Sequence, residues 1–135
     1  MSYPDQQFRI GISGSYGGMN LGDEAILDGI ISQLRGSIAA EITVFSKNPE
    51  DTLRRHNVDR AVPVRRLTRR EITPEIQRLD LFILGGGGIL FDGEAEVYLR
   101  EVFLAHEHSI PVAVYAVSAG PLTRASSRAA VRTAL

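Results

Sequence analysis

Two periodicities alternate along the chain. Short apolar runs are separated by stretches in which apolar residues recur every three or four positions. Residues 8–13 (FRIGIS) predict a strand. Ile26, Leu27, Ile30, Ile31 and Leu34 then fall at helical spacing, predicting an amphipathic helix over residues 23–34. Residues 41–46 (EITVFS) predict a second strand, rich in β-branched and aromatic side chains. Asn48, Pro49, Glu50 and Asp51 supply an N-cap, a first-turn proline and an acidic first turn for a short helix to about Arg55. Residues 60–64 (RAVPV) predict a short strand, and Pro63 puts it at an edge. Residues 68–78 predict a helix against the tendency of Pro74. Residues 80–84 (DLFIL) predict a strand that Gly85, Gly86, Gly87 and Gly88 bring to a stop. Val97, Leu99, Val102, Phe103 and Leu104 mark a helix over residues 94–106. Residues 111–117 (PVAVYAV) predict the fifth strand, and the Ala- and Arg-rich residues 123–135 a last helix.

Strand and helix therefore alternate five times. Three of the strands are apolar on both faces, as expected where helices cover both sides of a parallel sheet. The fold class is α/β: a Rossmann-like, doubly wound, five-stranded parallel sheet of order 3-2-1-4-5. Its crevice lies between the first and fourth strands, above their carboxyl ends. The two most glycine-rich loops follow those two strands.

Composition changes this picture little. With 135 residues, 44% hydrophobic and 23% charged, the chain makes one ordinary globular domain. A net charge of −1 gives no argument for nucleic acid or an anionic membrane as partner. There is no cysteine, hence no disulfide framework and no thiolate metal site, which fits a reducing, cytoplasmic setting. Residues 1–9 (MSYPDQQFR) lack the basic and apolar segments of a signal peptide, and no apolar stretch approaches the roughly 20 residues that span a bilayer.

The first glycine-rich loop, residues 14–22 (GSYGGMNLG), departs from both familiar phosphate cradles. It has no P-loop lysine, and Gly-x-Gly-x-x-Gly is absent in its proper register. Asp23 and Glu24 follow, placing negative charge at the helix end where a phosphate would bind. One reading is that the two carboxylates stabilise the positive end of the helix. The other is that Asp23 and Asn20 bind hydroxyl groups, because a carboxylate and an amide together suit a polyol such as a sugar. The second loop, residues 85–93 (GGGGILFDG), has more glycines than a turn needs. The excess points to close approach by another backbone or a ligand, or else to a mobile loop. Asp92 is either an N-cap for the next helix or a base or hydroxyl ligand in the crevice. In the third loop, Ser118, Ala119, Gly120, Pro121 and Leu122 keep space open beside the crevice. His106 and His108 point to different faces near a helix end. Arg65, Arg66, Arg69 and Arg70 read as a solvated face. No set of metal ligands converges, and no Ser-His-Asp arrangement follows from spacing.

Three motifs together are more specific than any one alone. Gly17, Asn20, Gly22, Asp23, Glu24, Ala25, Ile26 and Leu27 form the first. Gly85, Gly86, Gly87, Leu90 and Asp92 belong to the second, and Gly120, Pro121 and Leu122 to the third. In this order and spacing the chain, from about Arg9 to Leu122, resembles the N-terminal half of the polysaccharide pyruvyl transferase family. Ser118-Ala119 stands where that family commonly has Gly-Ile. The resemblance implies the N-terminal half of a two-domain, glycosyltransferase-B-like fold. It also implies transfer of a pyruvyl group from phosphoenolpyruvate to sugar hydroxyls, forming a ketal on a cell-envelope polysaccharide or its lipid-linked precursor. No cofactor or metal is implied, phosphoenolpyruvate being a co-substrate. This half would form the acceptor side of the cleft. Gly17, Asn20, Gly22, Asp23, Glu24, Gly85, Gly86, Gly87, Gly88, Asp92, Ser118 and Gly120 would be its substrate-binding residues, with Asp92 or Asp23 taking part in proton transfer. The basic residues for the donor would lie in a C-terminal domain absent from this chain, which ends inside a helix. Alone, this half is expected to be inactive and to self-associate through the exposed interdomain face. Two other readings are half of a sugar-nucleotide glycosyltransferase and a stand-alone, non-catalytic binding module.

Overall fold

The computed structural model describes residues 7–135. The expectation that the N-terminus carries no leader falls mostly on residues 1–6, outside the described residues. Ten elements alternate: β1 (Phe8–Ser13), α1 (Leu21–Ser37), β2 (Ala40–Ser46), α2 (Pro49–Arg55), β3 (Arg60–Pro63), α3 (Arg69–Gln77), β4 (Leu81–Leu90), α4 (Ala95–Glu107), β5 (Val112–Ala119) and α5 (Ala125–Ala134). All strand pairs are parallel, in the order β3-β2-β1-β4-β5. This is the α/β sheet that the apolar runs predict, with Pro63 on an edge strand. No helix among the described residues is long and apolar enough to cross a membrane.

Alternation along the strands divides the core in two. Ile10, Ile12, Ile42, Val44 and Ile83 face α1 and pack with Leu27, Ile30 and Ile31. Phe45, Phe82 and Leu84 face the other way, among Ile72 and Ile76 of α3 and Leu99 and Val102 of α4. The Phe45 and Phe82 rings meet at 5.7 Å between centroids, within the range of favourable aromatic pairs. Gly11 lies between them in the sheet. A Cβ there would lie 2.9 Å from the Phe45 ring, so its missing side chain is what lets Phe45 and Leu79 fill that face.

Two expectations are corrected. The glycine run does not end the fourth strand. β4 continues through all four glycines to Leu90, pairing Gly85 with Tyr115, Gly87 with Val117 and Gly88 with Ser118. Gly86 (φ 91°) and Gly87 (φ 87°) take conformations open to glycine, and Ala116 on β5 is also at positive φ, 57°. The strand is thus irregular but unbroken, and it brings Ser118 and Ala119 into β5 instead of a loop. The second correction concerns β5. It is an edge strand with Val114 and Tyr115 about half exposed, so helices do not cover both of its faces. Tyr115 borders an apolar groove with Ile30, Leu34 and Ile83, at the margin of the face that α1 covers.

The arginine cluster is partly solvated, as expected, with Arg66 and Arg69 exposed and paired to Glu50 and Glu107. Arg65 instead turns inward, 4.9 Å from the centre of the Tyr98 ring and 3.7 Å from the buried Glu101 carboxylate. Burial pushes the Glu101 carboxyl above its ordinary range, against the opposing pull of Arg100 and Arg65.

Gly86 of β4, and less closely Gly85, make room for Tyr16. Its ring is fully buried against them, and a Cβ on Gly86 would collide with the phenol, closest at the hydroxyl oxygen. Its hydroxyl has no hydrogen-bond partner among the described residues. Gly86→Ala is therefore expected to destabilise the domain by about 1–3 kcal/mol through positive φ and the clash. Tyr16→Phe, which removes an unsatisfied buried hydroxyl, is expected to be neutral or stabilising. Urea unfolding of both variants checks the pair, and a Tyr16→Phe loss above about 1 kcal/mol would show that the hydroxyl has a partner.

Candidate functional site

The site is built on how residues 14–22 are fastened. Asn20 caps α1: its Oδ1 accepts from the backbone N–H of Gly22 at 2.9 Å and of Asp23 at 3.2 Å. The helix starts at Leu21, before the acidic pair, and the amide oxygen satisfies two of the orphan donors. Glu24 turns back instead. Its carboxylate accepts from the Gly17 N–H at 2.8 Å and meets His56 Nε2 at 2.9 Å. His56 Nδ1 lies 2.7 Å from Asp28. The imidazole is buried between two carboxylates, with a proton required in each contact. Both nitrogens are committed, so this His is a fastening, not a base. Gly17, at φ 78°, packs so closely on Ser46 and Asn48 that no side chain fits. The Lys47 N–H donates to the Tyr16 carbonyl at 2.9 Å. The first loop is thus tied to the end of β2.

Asp23, one residue before Glu24, is left free to face the crevice. Its carboxylate rests on Gly87, where a Cβ would collide with it. Burial raises its proton affinity above the ordinary aspartate range; the Ser15 hydroxyl bond opposes this, Glu24 adds to it, and Lys47 opposes it. Asp23, Asn20, Ser15, Lys47, Gly88, Phe91, Glu94 and Tyr98 line a mainly polar pocket of about 300 Å³. It lies above the carboxyl ends of β1, β2 and β4, where doubly wound sheets place ligands.

The structure brings Asn20, Asp23 and Gly88 together and separates the rest. Glu24 and Gly17 are buried scaffold rather than pocket wall. Gly85 and Gly86 face Tyr16, and Gly87 faces Asp23, so chain atoms, not a ligand, explain three of the four glycines. Gly22 follows the cap in the first turn of α1. Ser118 stands beside Gly88, and Gly120 packs on Phe91. Asp92 is neither the N-cap of α4 nor a wall of this pocket. Its carboxylate accepts from Thr123 N at 2.9 Å, from the Thr123 hydroxyl, and from Arg124 N at 3.0 Å, which ties β4 to the start of α5. The Thr123 hydroxyl, then the Arg124 amide, draw its pKa down to about 2, making it a weak base at neutral pH.

Sequence reading missed Ser15, Lys47, Glu94, Tyr98 and His56. Lys47 was findable, since it directly follows a strand next to the crevice. His56 was not, because its partners lie 28 and 32 residues away. Among the described residues no group of three His, Asp or Glu side chains is arranged to hold a metal ion.

Removing His56 would leave the Glu24 carboxylate buried with only the Gly17 amide. His56→Ala is expected to cost about 3 kcal/mol or more, and Glu24→Gln less, since an amide oxygen can still accept from Gly17. Denaturant unfolding measures both; a His56→Ala loss below about 1 kcal/mol would mean that the pair is not holding the loop.

The family model for polysaccharide pyruvyl transferase matches residues 20–135. No curated protein and no solved structure matches the chain. The match takes in the α1 cap, the glycine tract of β4 and the turn after β5, the three places where the pocket and its supports are built. The chain belongs to the polysaccharide pyruvyl transferase family.

Proposed function

We propose that this pocket receives the sugar acceptor of a pyruvyl transfer from phosphoenolpyruvate, and that Asp23 is the base that activates an acceptor hydroxyl. The reaction adds two hydroxyls of the acceptor across the donor's C2. Two C–O bonds form there and the bond to the phosphate oxygen breaks. One hydroxyl proton reaches the methylene carbon, making a methyl group, and the other leaves with inorganic phosphate. A base is needed as each hydroxyl attacks.

The observation that carries this reading is the Asp23 carboxylate, half withdrawn from water on Gly87 and flanked by Asn20 and Ser15 in a polar pocket. The Asn20 oxygen is spent on the helix cap, which leaves its amide protons to donate to a ligand. A pocket of about 300 Å³ is at the small end of ligand sites and suits one sugar residue rather than a diphosphate nucleotide. Two carboxylates, Asp23 and Glu94, line it and repel phosphate, which argues against a sugar-nucleotide donor in this position. The donor's charge needs more than the single lysine here, and we assign the remaining basic groups to a further domain. On that reading the 135-residue chain alone is inactive, and its acceptor is a saccharide or lipid-linked saccharide.

The test is phosphate release from phosphoenolpyruvate with saccharide acceptors, catalysed by the full-length protein. Asp23→Asn is expected to lower kcat by about 100-fold or more with a smaller change in acceptor KM. Because the base must be ionised and burial favours its protonated form, the acid limb of the rate profile should sit above the ordinary aspartate range. Asp92→Asn is expected to keep kcat within a few-fold. Full turnover by Asp23→Asn would remove Asp23 from the chemistry, and phosphate release indifferent to added sugar would remove the acceptor reading.

A further inference from the structure

Glu94 shares the pocket with Asp23 but comes to it from a different helix. Asp23 belongs to the first turn of α1, which packs on the sheet face of Ile10, Ile12 and Ile83. Glu94 stands at the N-cap position of α4, which packs on the opposite face, that of Phe82 and Leu84. The starts of the two helices come together above the carboxyl end of the sheet, so a ligand in the pocket is flanked by a carboxylate from each.

The backbone at Glu94 is fixed, while its side chain is left over. Gly93 turns at φ 87° just before it. The Glu94 N–H donates to the Phe91 carbonyl at 3.1 Å, and the Glu94 carbonyl accepts from the N–H of Val97 at 3.0 Å and of Tyr98 at 3.3 Å. The half-buried carboxylate makes no cap bond to α4, and among the described residues it takes part in no hydrogen bond or ion pair. Outside the pocket, every carboxylate among the described residues accepts a hydrogen bond or sits in an ion pair. Lys47, the one cation among the described residues that line the pocket, reaches the Ser15 hydroxyl at 3.4 Å and the Tyr98 ring at 5.9 Å, and pairs with neither acid. Ser, Thr, Asp or Asn would cap this helix better than Glu. A carboxylate that serves neither helix nor core, placed in a polar pocket, is available to a ligand.

We infer that Glu94 is a second catalytic carboxylate, the base for the second acceptor hydroxyl. This rests on the proposed pyruvyl transfer, with Asp23 as base for the first hydroxyl. In the first addition the oxygen of one hydroxyl bonds to C2 and its proton passes to Asp23. The electron pair of the donor's double bond takes up that proton at the methylene carbon, which becomes a methyl group. In the second step the C2–O bond to the phosphate breaks, with its electron pair leaving on the phosphate. The oxygen of the other hydroxyl bonds to C2, and Glu94 takes its proton and passes it to the departing phosphate. Both carboxylates end as they began, and the two hydroxyl protons are those gained by the methyl group and the phosphate. The two oxygens approach one carbon along different directions, and carboxylates carried by two helices can each face one of them.

The experiment is turnover in D2O by the full-length protein, with phosphoenolpyruvate and a saccharide acceptor. Phosphate release is measured, and deuterium at the donor's C3 is read by mass spectrometry of recovered phosphoenolpyruvate and of quenched adduct. Glu94→Gln is expected to lower phosphate release by about 100-fold with acceptor KM within a few-fold, while deuterium still enters C3 through the first addition. Asp23→Asn is expected to lose both. Because the Glu94 carboxylate has no partner, the urea midpoint of Glu94→Gln is expected to stay at the wild-type value. Undiminished phosphate release by Glu94→Gln overturns the inference. So does loss of deuterium uptake together with release, which would place Glu94 in the first addition or in binding, and so does a lowered urea midpoint, which would make it a structural residue. Wild-type protein that releases no phosphate with any sugar sinks the proposed function and this inference together; active wild type beside an equally active Glu94→Gln sinks this inference alone.

Discussion

The Glu24 carboxylate is where the first loop, the first helix and the second helix are joined. It sits in the first turn of α1, accepts from Gly17 in the loop before it, and meets His56 at the end of α2. A buried carboxylate without partners is among the costliest groups a core can hold, so its neighbours are strongly constrained. His56 must stay beside it, and Asp28, one helical turn further on, holds the other side of the same ring. Gly17 must offer its N–H at a backbone angle that favours glycine. These ties leave the adjacent Asp23 on the opposite side of the turn, toward the crevice. The two neighbouring acids have opposite jobs because successive helix positions point about 100° apart.

The glycine tract is the other half of the same construction. Once Tyr16 is buried beneath the first loop, β4 has to pass its ring and then the Asp23 carboxylate with no side chains in the way. Gly85, Gly86 and Gly87 do that, and Gly88 continues to the pocket. The strand keeps its pairing with β5 throughout, which stiffens the floor of the site. A pocket floored by a strand holds a carboxylate more narrowly than a free glycine loop would, and narrow placement is what proton transfer requires.

This division also explains what the sequence disclosed. Strand order and crevice position were legible because apolar runs such as DLFIL record burial on both faces, a property of the segment itself. The extension of β4 was not legible, because four glycines usually mark a break, and the reason for these lies in Tyr16 and Asp23 some 70 and 64 residues away. The exposed face of β5 was hidden for a similar reason: PVAVYAV reads as buried, yet this edge strand lies at the margin of the face that α1 covers. Asp92 was named for its place just past the glycines, but the chain that follows β5 comes back to take its hydrogen bonds. Lys47 belongs to a strand end that carried no motif at all.

The electrostatics of the pocket then decide what it can hold. Anion sites at helix N-termini depend on free N–H groups and the positive end of the dipole. Here Asn20 has taken two of the free donors of α1, those of Gly22 and Asp23, and the Asp23 carboxylate adds negative charge at the same helix end. Lys47 offers a single positive charge against the two negative charges of Asp23 and Glu94. A neutral ligand with many hydroxyls loses little in such a field and gains both acceptors and donors. A trianion meets net repulsion unless more cations arrive with it. On the proposed reading, an arrangement that admits a sugar leaves the charge of an anionic donor to be met by cations from outside this pocket.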